Sequence, residues 1–207
     1  MSDRIIHLVD DDEAIRRSAG FMLKTSGYKV SSFASGVELL REAKDLQPGC
    51  ILLDVRMPDM DGLQVQRALQ ERGIGFPVIV MTGHGDVGVA VQAMKAGAVD
   101  FIEKPFEKAV LLSALEEGFS RLERTGRSRA RAEEARVRLQ ALTPRERDVL
   151  EGLVRGHPNK TIAYDLDISP RTVEIHRANL MSKLGVASLS EALRIAFAAG
   201  LDEQRAG

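Results

Sequence analysis

Acidic, basic and hydroxyl side chains lie at the ends of several short apolar runs of the chain. They are, in chain order, Asp10, Asp11, Asp12, Asp54, Thr82 and Lys104. If these runs are neighbouring strands, the side chains converge. Converging carboxylates need a counter-charge such as Mg2+ or Mn2+, which prefer oxygen ligands. A lysine and a hydroxyl at the same place suit the oxygens of a phosphoryl group. The set therefore predicts a site at which Asp54 is the nucleophile and forms an aspartyl phosphate.

The first 120 residues alternate between short β-branched runs and longer amphipathic stretches, the pattern of strands and helices in an α/β fold. The predicted strands are Ile5–Val9, Lys29–Phe33, Cys50–Val55, Pro77–Met81 and Val99–Ile102. The predicted helices cover residues 13–25, 36–46, 61–72 and 87–96, with a fifth from 106 onward. These repeats imply right-handed crossovers and a doubly wound, five-stranded parallel sheet of the flavodoxin-like kind. In such a sheet ligands bind at the carboxyl ends of the strands, where the polar residues lie.

The rest of the chain contains only helical patterns. Residues 121–140 are dense in Arg, Ala and Glu, which predicts a semi-rigid helical linker that Gly126 is able to interrupt. Four short helices follow, of which the third runs from Ser169 to Leu184. Capping signals along the chain are Ser35 with Glu38, Asp86, Thr143 with Glu146, Asn159, Ser169, and Ser188 with Glu191. The predicted domains are residues 1–122, a linker over 123–141 and an all-α domain over 142–207.

The composition fits two modules with different partners. Residues 1–120 hold 13 Lys and Arg against 18 Asp and Glu, a net −5, whereas residues 121–207 hold 16 against 12, a net +4. The basic half suggests a polyanionic partner. The longest stretch without a charged residue, 73–85, has 13 residues, fewer than the ~20 that cross a bilayer. We therefore expect a cytoplasmic protein with no membrane partner, and the single cysteine, Cys50, excludes an intramolecular disulfide.

Four segments of the first half together resemble the receiver domain of two-component response regulators. They are residues 8–12, 53–62, 82–83 and 101–106. The resemblance implies that a partner sensor histidine kinase phosphorylates Asp54, and that no enzymatic activity exists beyond uptake and hydrolysis of this phosphoryl group. The Mg2+ ligands that it implies are Asp10, Asp11, Asp54 and the backbone carbonyl of Arg56. It also implies a cis peptide bond before Pro105 and a switch that couples Thr82 to Phe101.

Segments of the second half resemble the LuxR-type helix-turn-helix of the NarL/FixJ family of regulators. They are residues 142–147, 159–163, 168–174 and 176–186. The helix-turn-helix is expected over about residues 159–184, with a last helix whose polar face fits a DNA major groove. That helix has an apolar edge formed by Val173, Leu180 and Leu184. Predicted contacts with phosphates or bases are Lys160, Arg171, Thr172, Glu174, Ile175, Ala178, Asn179 and Lys183.

Together the two resemblances imply a transcription factor that is switched by phosphorylation. A phosphoryl group on Asp54 adds a charge of about −1.5 to −2. We expect this charge to draw Thr82 inward, and the surface of helix 87–96 to repack as a result. Homodimer contacts are expected at Val91, Lys95, Leu193 and Phe197. Residues 81–106 match the FixJ branch of the family. This match implies a FixL-like kinase, promoter DNA and RNA polymerase as partners, and nitrogen-fixation or oxygen-responsive genes as targets.

Two other functions fit parts of the pattern. Haloacid-dehalogenase-type phosphatases also combine an aspartate nucleophile with Mg2+, Thr and Lys, and Asp10 with Asp12 match their Asp-x-Asp spacing. Ala14, however, lies where those enzymes place Thr or Val, and the C-terminal helices are left without a role. The second alternative is a DNA-binding protein whose receiver dimerises without phosphorylation. The complete acidic pocket argues against it.

Overall fold

The computed structural model describes residues 4–83 and 87–201, which form two compact units divided between Thr125 and Gly126. The first unit contains β1 (Ile5–Val9), α1 (Glu13–Thr25), β2 (Lys29–Phe33), α2 (Gly36–Glu42), β3 (Cys50–Asp54), α3 (Gly62–Glu71), β4 (Val78–Thr82), α4 (Val87–Lys95), β5 (Asp100–Glu103) and the first part of α5 (Lys108–Gln140). The second unit contains the end of α5 with α6 (Pro144–Val154), α7 (Asn159–Asp165), α8 (Pro170–Leu184) and α9 (Leu189–Ala198).

The five strands form one parallel sheet in the order β2-β1-β3-β4-β5, which confirms the predicted doubly wound α/β fold. Strands β1, β3 and β4 are buried along their whole length, which explains their continuous apolar sequences. Alternate strand residues enter two core clusters, one with α2, α3 and α4 and the other with α1 and α5. Cys50 lies in the second cluster, where burial raises the pKa of its thiol to about 12.

Two strands reach one residue further toward the carboxyl edge of the sheet than predicted. The prediction ended them at Met81 and Ile102, whereas β4 and β5 continue through the pairing of Thr82 with Glu103. The backbone N–H of Lys104 then donates to the carbonyl of Thr82 at 2.8 Å. This hydrogen bond holds Thr82 and Lys104 next to each other at the edge that the polar residues share.

The helix caps follow the sequence signals in part and differ from them at α2, α7 and α9. At α9 the Glu191 carboxylate accepts from the N–H of Ala187, and α7 begins at Asn159 with Pro158 as its N-cap and no side-chain cap hydrogen bond. Thr143 and Glu146 form the complete capping box of α6. At α2 the hydroxyl of Ser35 caps the helix as predicted, but the Glu38 carboxylate accepts from the N–H of Ala34 at 2.6 Å rather than from Ser35. Helix α2 also ends at Glu42, four residues before the predicted end. The cap predicted at Asp86 lies outside the described residues.

Helix α5 passes through Gly126 without the interruption that the sequence permitted. Its first part buries Leu111, Leu115 and Phe119 in the core of the first unit. Its end buries Ala135 and Leu139 in the core of the second unit, together with residues of α6 to α9. Among the described residues, none of the helices is both long enough and apolar enough to cross a membrane.

Candidate functional site

Three carboxylates meet at the carboxyl edge of the parallel sheet. Strands β1 and β3 are neighbours, and Val9 pairs with Leu53, so the next residues, Asp10 and Asp54, lie side by side. Oxygens of Asp10, Asp11 and Asp54 all lie within 4.8 Å of one another. Asp10 and Asp54 are only 1% and 5% exposed, so their charges are largely removed from water. The strand register therefore brings together the acidic residues that the sequence placed at strand ends.

Lys104 provides the counter-charge of this acidic pocket. It follows β5, and its Nζ donates to Asp10 Oδ2 at 2.7 Å and to Asp54 Oδ1 at 2.5 Å. The Lys104–Pro105 peptide bond is cis, as the resemblance implied. Burial alone would lower the pKa of Lys104, but hydrogen bonds and charge attraction from the two carboxylates raise it above its ordinary value. The ammonium group therefore stays protonated beside the two aspartates.

Asp54 is surrounded by negative charge despite its contact with Lys104. Burial raises the pKa of Asp54 above its ordinary value, and the nearby charges of Asp10 and Asp11 raise it further. The hydrogen bond and positive charge of Lys104 oppose this rise without cancelling it. The ammonium group of Lys104 thus pairs with Asp10 and Asp54, and the carboxylate of Asp11 lies beside them. The carboxylates of this cluster outnumber its ammonium group, which favours binding of a further cation.

The donor set of the pocket fits Mg2+ or Mn2+. Both ions are hard cations that bind carboxylate and carbonyl oxygens, and three such carboxylates converge within coordination reach. Arg56, whose backbone carbonyl is the fourth predicted ligand, lies two residues beyond Asp54 on the exposed side of this edge. Asp12 is used differently, because its carboxylate caps α1 by accepting from the N–H groups of Ala14 at 2.7 Å and Ile15 at 3.4 Å.

The two predicted switch residues differ in exposure. Thr82 ends β4 and is 3% exposed, whereas Phe101 on β5 is 46% exposed. The two are close in the ladder, because Val80 pairs with Phe101 and Thr82 with Glu103. The side chain of Thr82 is thus already inside the fold, whereas Phe101 is about half exposed to solvent.

Helix α8 has the amphipathic character predicted for a DNA-recognition helix. Its apolar edge, formed by Val173, Leu180 and Leu184, is buried in the core of the second unit. Thr172 is half-buried, and its hydroxyl lies 2.8 Å from that of Ser169 at the helix start. The remaining predicted contact residues are all exposed, namely Lys160 on α7 and Arg171, Glu174, Ile175, Ala178, Asn179 and Lys183 on α8.

Lys183 has a partner that sequence reasoning did not predict. Its Nζ donates to Glu146 Oε2 at 2.7 Å, and Glu146 is only 3% exposed. Burial would raise the pKa of Glu146, but hydrogen bonds from Lys183 and Thr143 hold it below its ordinary value. The predicted phosphate ligand therefore already neutralises a buried carboxylate in the capping box of α6. In the same domain Arg177 donates to Asn159 Oδ1 at 2.8 Å.

The predicted dimer residues lie on two helices. Val91 and Lys95 are exposed on α4, and Phe197 is 46% exposed on α9. Leu193 is only partly exposed, because it packs against the core of the second unit. Three of the four side chains are thus available on the surface of their own unit.

Two further arginines near these sites were not singled out from the sequence. Arg16 Nη1 donates to the backbone carbonyl of Asp10 at 2.7 Å, beside the acidic pocket. Arg138, near the end of α5, donates to the backbone carbonyl of Leu184 at the end of α8. Backbone carbonyls carry no sequence signal, and Arg138 and Leu184 are 46 residues apart. No spacing in the sequence pointed to either contact.

Comparisons with known proteins cover both units. The chain matches the family described as "Response regulator receiver domain" over residues 6–116 and that described as "Bacterial regulatory proteins, luxR family" over residues 140–196. It is 50% identical over 200 residues to the transcriptional regulatory protein FixJ of Rhizobium meliloti (strain 1021), a match covering 97% of this chain and 98% of that protein. It is 40% identical over 197 residues to the response regulator protein TodT of Pseudomonas putida, covering 94% and 87%.

Solved structures of full-length proteins are also similar to this chain. A crystal structure of full-length FixJ from B. japonicum is 44% identical, with a TM-score of 0.61 and coverage of 97% of this chain and 99% of that one. The response regulator StyR is 36% identical, with a TM-score of 0.78 and coverage of 95% and 99%. Because each unit matches its own family and full-length regulators match nearly the whole chain, the chain belongs to the two-component response regulators with a LuxR-type DNA-binding domain, the NarL/FixJ family.

Proposed function

We propose that a sensor histidine kinase phosphorylates Asp54, and that this phosphorylation drives homodimerisation and DNA binding. The observation that carries the proposal is the pairing of the Lys104 ammonium group with both Asp10 and Asp54, beside Asp11. Because the pocket has three carboxylates near one lysine, its negative charge favours the binding of a second cation. An entering phosphoryl group would find its nucleophile and a positively charged donor already in contact.

The other residues of the pocket take the roles that their positions allow. A bound Mg2+ or Mn2+ would neutralise the oxygens of the phosphoryl group. Its proposed ligands are Asp10, Asp11, Asp54 and the backbone carbonyl of Arg56. The hydroxyl of Thr82 donates to a phosphoryl oxygen. The movement of Thr82 changes the space available to Phe101.

The switch would act on the surface of α4, because this helix lies between β4 and β5 in the chain and packs on both strands. Val91 and Lys95 are exposed there and form the proposed dimer contact of the receiver. Leu193 and Phe197 of α9 form the proposed contact between DNA-binding domains. A dimer would bind two half-sites spaced by about one turn of DNA, about 10 bp.

The second unit is proposed to bind promoter DNA through α8 and the start of α7. Phosphate groups are bound by Arg171, Thr172, Asn179 and Lys160. The carboxylate of Glu174 accepts a hydrogen bond from cytosine, and Ile175 contacts a thymine methyl group where the small Ala178 allows close approach. Lys183 contributes through its ion pair with Glu146. The similarity to FixJ supports a FixL-like kinase, RNA polymerase as a partner in the cytoplasm and nitrogen-fixation or oxygen-responsive target genes. We also propose the domain limits 1–122, 123–141 and 142–207.

The proposal is tested by measuring oligomeric state and DNA affinity with and without acetyl phosphate and Mg2+. Light scattering after size-exclusion chromatography gives the mass, and a duplex selected from a randomised pool by the treated wild-type protein gives the affinity. Asp54→Asn is the test variant. Asp45→Asn, which removes an exposed carboxylate before the start of β3, whereas Asp54 lies at the end of that strand, is the matched control.

We expect the phosphodonor to raise both the dimer fraction and the affinity of the wild-type and Asp45→Asn proteins, and to leave Asp54→Asn unchanged. Equal DNA binding by all three proteins under both conditions would overturn the proposal. That result would favour a receiver that dimerises without phosphorylation.

A further inference from the structure

The C-terminal end of α8 receives a side chain from another helix. Helix ends leave carbonyl groups without partners inside the helix. Here the turn at Gly185, which has a φ of 62°, satisfies two of them: its own N–H donates to Ser182, and the N–H of Val186 donates to Met181 at 3.0 Å. The carbonyl of Leu184 is satisfied by the guanidinium of Arg138 on α5. The last turn of α8 is therefore held partly by a residue from outside the helix-turn-helix.

Arg138 is fixed on the α5 side of this contact. Ala135 and Leu139, three residues before it and one after it, are 4% and 2% exposed and pack in the core of the second unit. Arg138 itself is only partly exposed, and a Cβ atom added to Gly185 would lie 3.8 Å from its Nη2. The guanidinium thus lies against the turn that ends α8 and is not a freely moving surface group.

The charge of Arg138 suits this place as well as its hydrogen bonds do. The C-terminal end of a helix carries a partial negative charge, which nearby cations stabilise. Lys183 adds a second cation in the same turn, but its ammonium group is held by Glu146 of α6. Helices α5 and α6 therefore each hold the end of α8, one through a backbone carbonyl and the other through the ion pair of Lys183 with the buried Glu146.

We infer that Arg138 is a positioning residue for sequence-specific DNA recognition, acting through the end of α8 and not on DNA itself. Helix α8 has 15 residues, which span ~22 Å, so a small tilt at one end moves side chains at the other. Contacts with base edges depend on such placement, whereas attraction to phosphates depends mainly on charge. Arg138 should therefore affect the discrimination between DNA sequences more than it affects overall affinity. This inference rests on the proposed role of α8 in binding DNA.

The test compares Arg138→Gln with Arg136→Gln in the full-length protein treated with acetyl phosphate and Mg2+. Both variants remove one positive charge from the same helix, but Arg136 is exposed and pairs at 4.0 Å with Glu133, three residues earlier on that helix. Affinity is measured for the duplex selected by the wild-type protein and for a random-sequence duplex, over a range of salt concentrations. Arg138→Lys, which keeps a charged donor, is measured beside them.

For Arg138→Gln we expect the ratio of selected to random affinity to fall about five- to tenfold, with an unchanged slope of log affinity against log salt. Arg136→Gln should keep the wild-type ratio, and Arg138→Lys should recover most of it. All affinities are taken well below the melting temperature of each variant, so a loss of folding does not imitate the effect.

Three results would overturn the inference. An equal loss on both duplexes with a slope reduced by about one unit would make Arg138 a phosphate ligand. An unchanged ratio would show that the contact does not position α8. If the wild-type protein selects no duplex at all, the proposed DNA-binding role fails first and the inference fails with it. The wild-type selection therefore distinguishes the two failures.

Discussion

The acidic pocket of the first unit and the ion pair between the exposed Lys183 and the buried Glu146 of the second unit use similar residues with different charge balance. In the pocket, the ammonium group of Lys104 contacts Asp10 and Asp54, and an oxygen of Asp11 lies within 4.8 Å of oxygens of both. In the second unit, Glu146 meets Lys183 one to one and also caps its own helix. Buried charges are costly unless they are paired. An excess of one sign therefore indicates a binding site, whereas a balanced pair indicates a structural contact.

The largest effect is expected at the centre of the unbalanced pocket. Asp54→Asn removes the nucleophile, so incorporation of a phosphoryl group from acetyl phosphate should be lost completely. Intact mass spectrometry, with the mass increase of one phosphoryl group, gives the measurement. Asp45→Asn should be modified like the wild-type protein. Modification of Asp54→Asn at the wild-type rate would show that the chemistry belongs to another residue.

A smaller but still large effect is expected from the counter-charge. Lys104→Met removes the donor that contacts Asp10 and Asp54, and the rate of phosphorylation should fall by about two orders of magnitude. The rate is followed by mass spectrometry at fixed acetyl phosphate and Mg2+. Lys108→Met, an exposed lysine at the start of α5, is the control and should keep the wild-type rate. A Lys104→Met rate within twofold of wild type would remove Lys104 from the reaction.

The balanced pair should affect stability and not the charge contacts with DNA. Lys183→Met leaves the buried Glu146 without its cation, so the free energy of unfolding should fall by about 1–2 kcal/mol, with an unchanged salt slope of DNA binding. Arg171→Gln should do the reverse, because it removes an exposed proposed phosphate contact and lowers the slope by about one unit. Urea unfolding and affinity titrations over a salt series measure both. If Lys183→Met lowers the slope without loss of stability, the lysine is a phosphate ligand.

The smallest effect is a pH dependence within the receiver. His7 is 1% exposed between Phe33 and Phe76, and burial lowers its pKa below the ordinary value of 6.5. Below pH 6.5 the unfolded chain therefore binds a proton that the folded chain resists, so stability is complete above this pH and falls as the pH decreases. We expect the free energy of unfolding to decrease by on the order of 1 kcal/mol between pH 7.5 and pH 5.5.

His7→Phe keeps an aromatic ring in this place and removes the titrating group. Urea unfolding at the two pH values should show a smaller loss for this variant than for the wild-type protein. An equal loss in both would assign the pH dependence to other groups. The pair of Glu146 with Lys183 affects stability in a more acidic pH range. Because the pKa of Glu146 is lowered in the folded protein, the ionised carboxylate stabilises the fold fully above pH 4.5, its ordinary pKa, and this contribution is lost as the pH falls below that value.

The comparison also explains what the sequence predicted well. Parallel strands end at one edge of a sheet, so naming the strands was enough to bring Asp10, Asp54 and Lys104 together. Asp10 follows β1 and Asp54 ends β3, two strands with continuous apolar runs, and Lys104 follows β5, whose predicted end was one residue short. The buried edge of α8 was predicted for a similar reason, since helical periodicity determines which side faces the core.

Two of the contacts that the sequence did not predict, at Lys183 and at Arg138, join segments far apart in the chain. The periodicity of α8 placed Lys183 near the surface but contained no information on Glu146, which is 37 residues away. The bond from Arg138 ends on a backbone carbonyl, which any residue type provides. The end of α2 at Glu42 and the acceptance by Glu38 from Ala34 depend on local backbone geometry that capping residues alone do not determine.

The most direct test of the phosphorylation switch uses a single, partly phosphorylated sample of the wild-type protein. The sample is mixed with a limiting amount of the selected duplex, and the bound and free proteins are separated. Intact mass spectrometry then gives the fraction phosphorylated in each. Phosphorylated protein should be strongly enriched in the bound fraction. Equal fractions in bound and free protein would contradict the coupling of Asp54 to DNA binding.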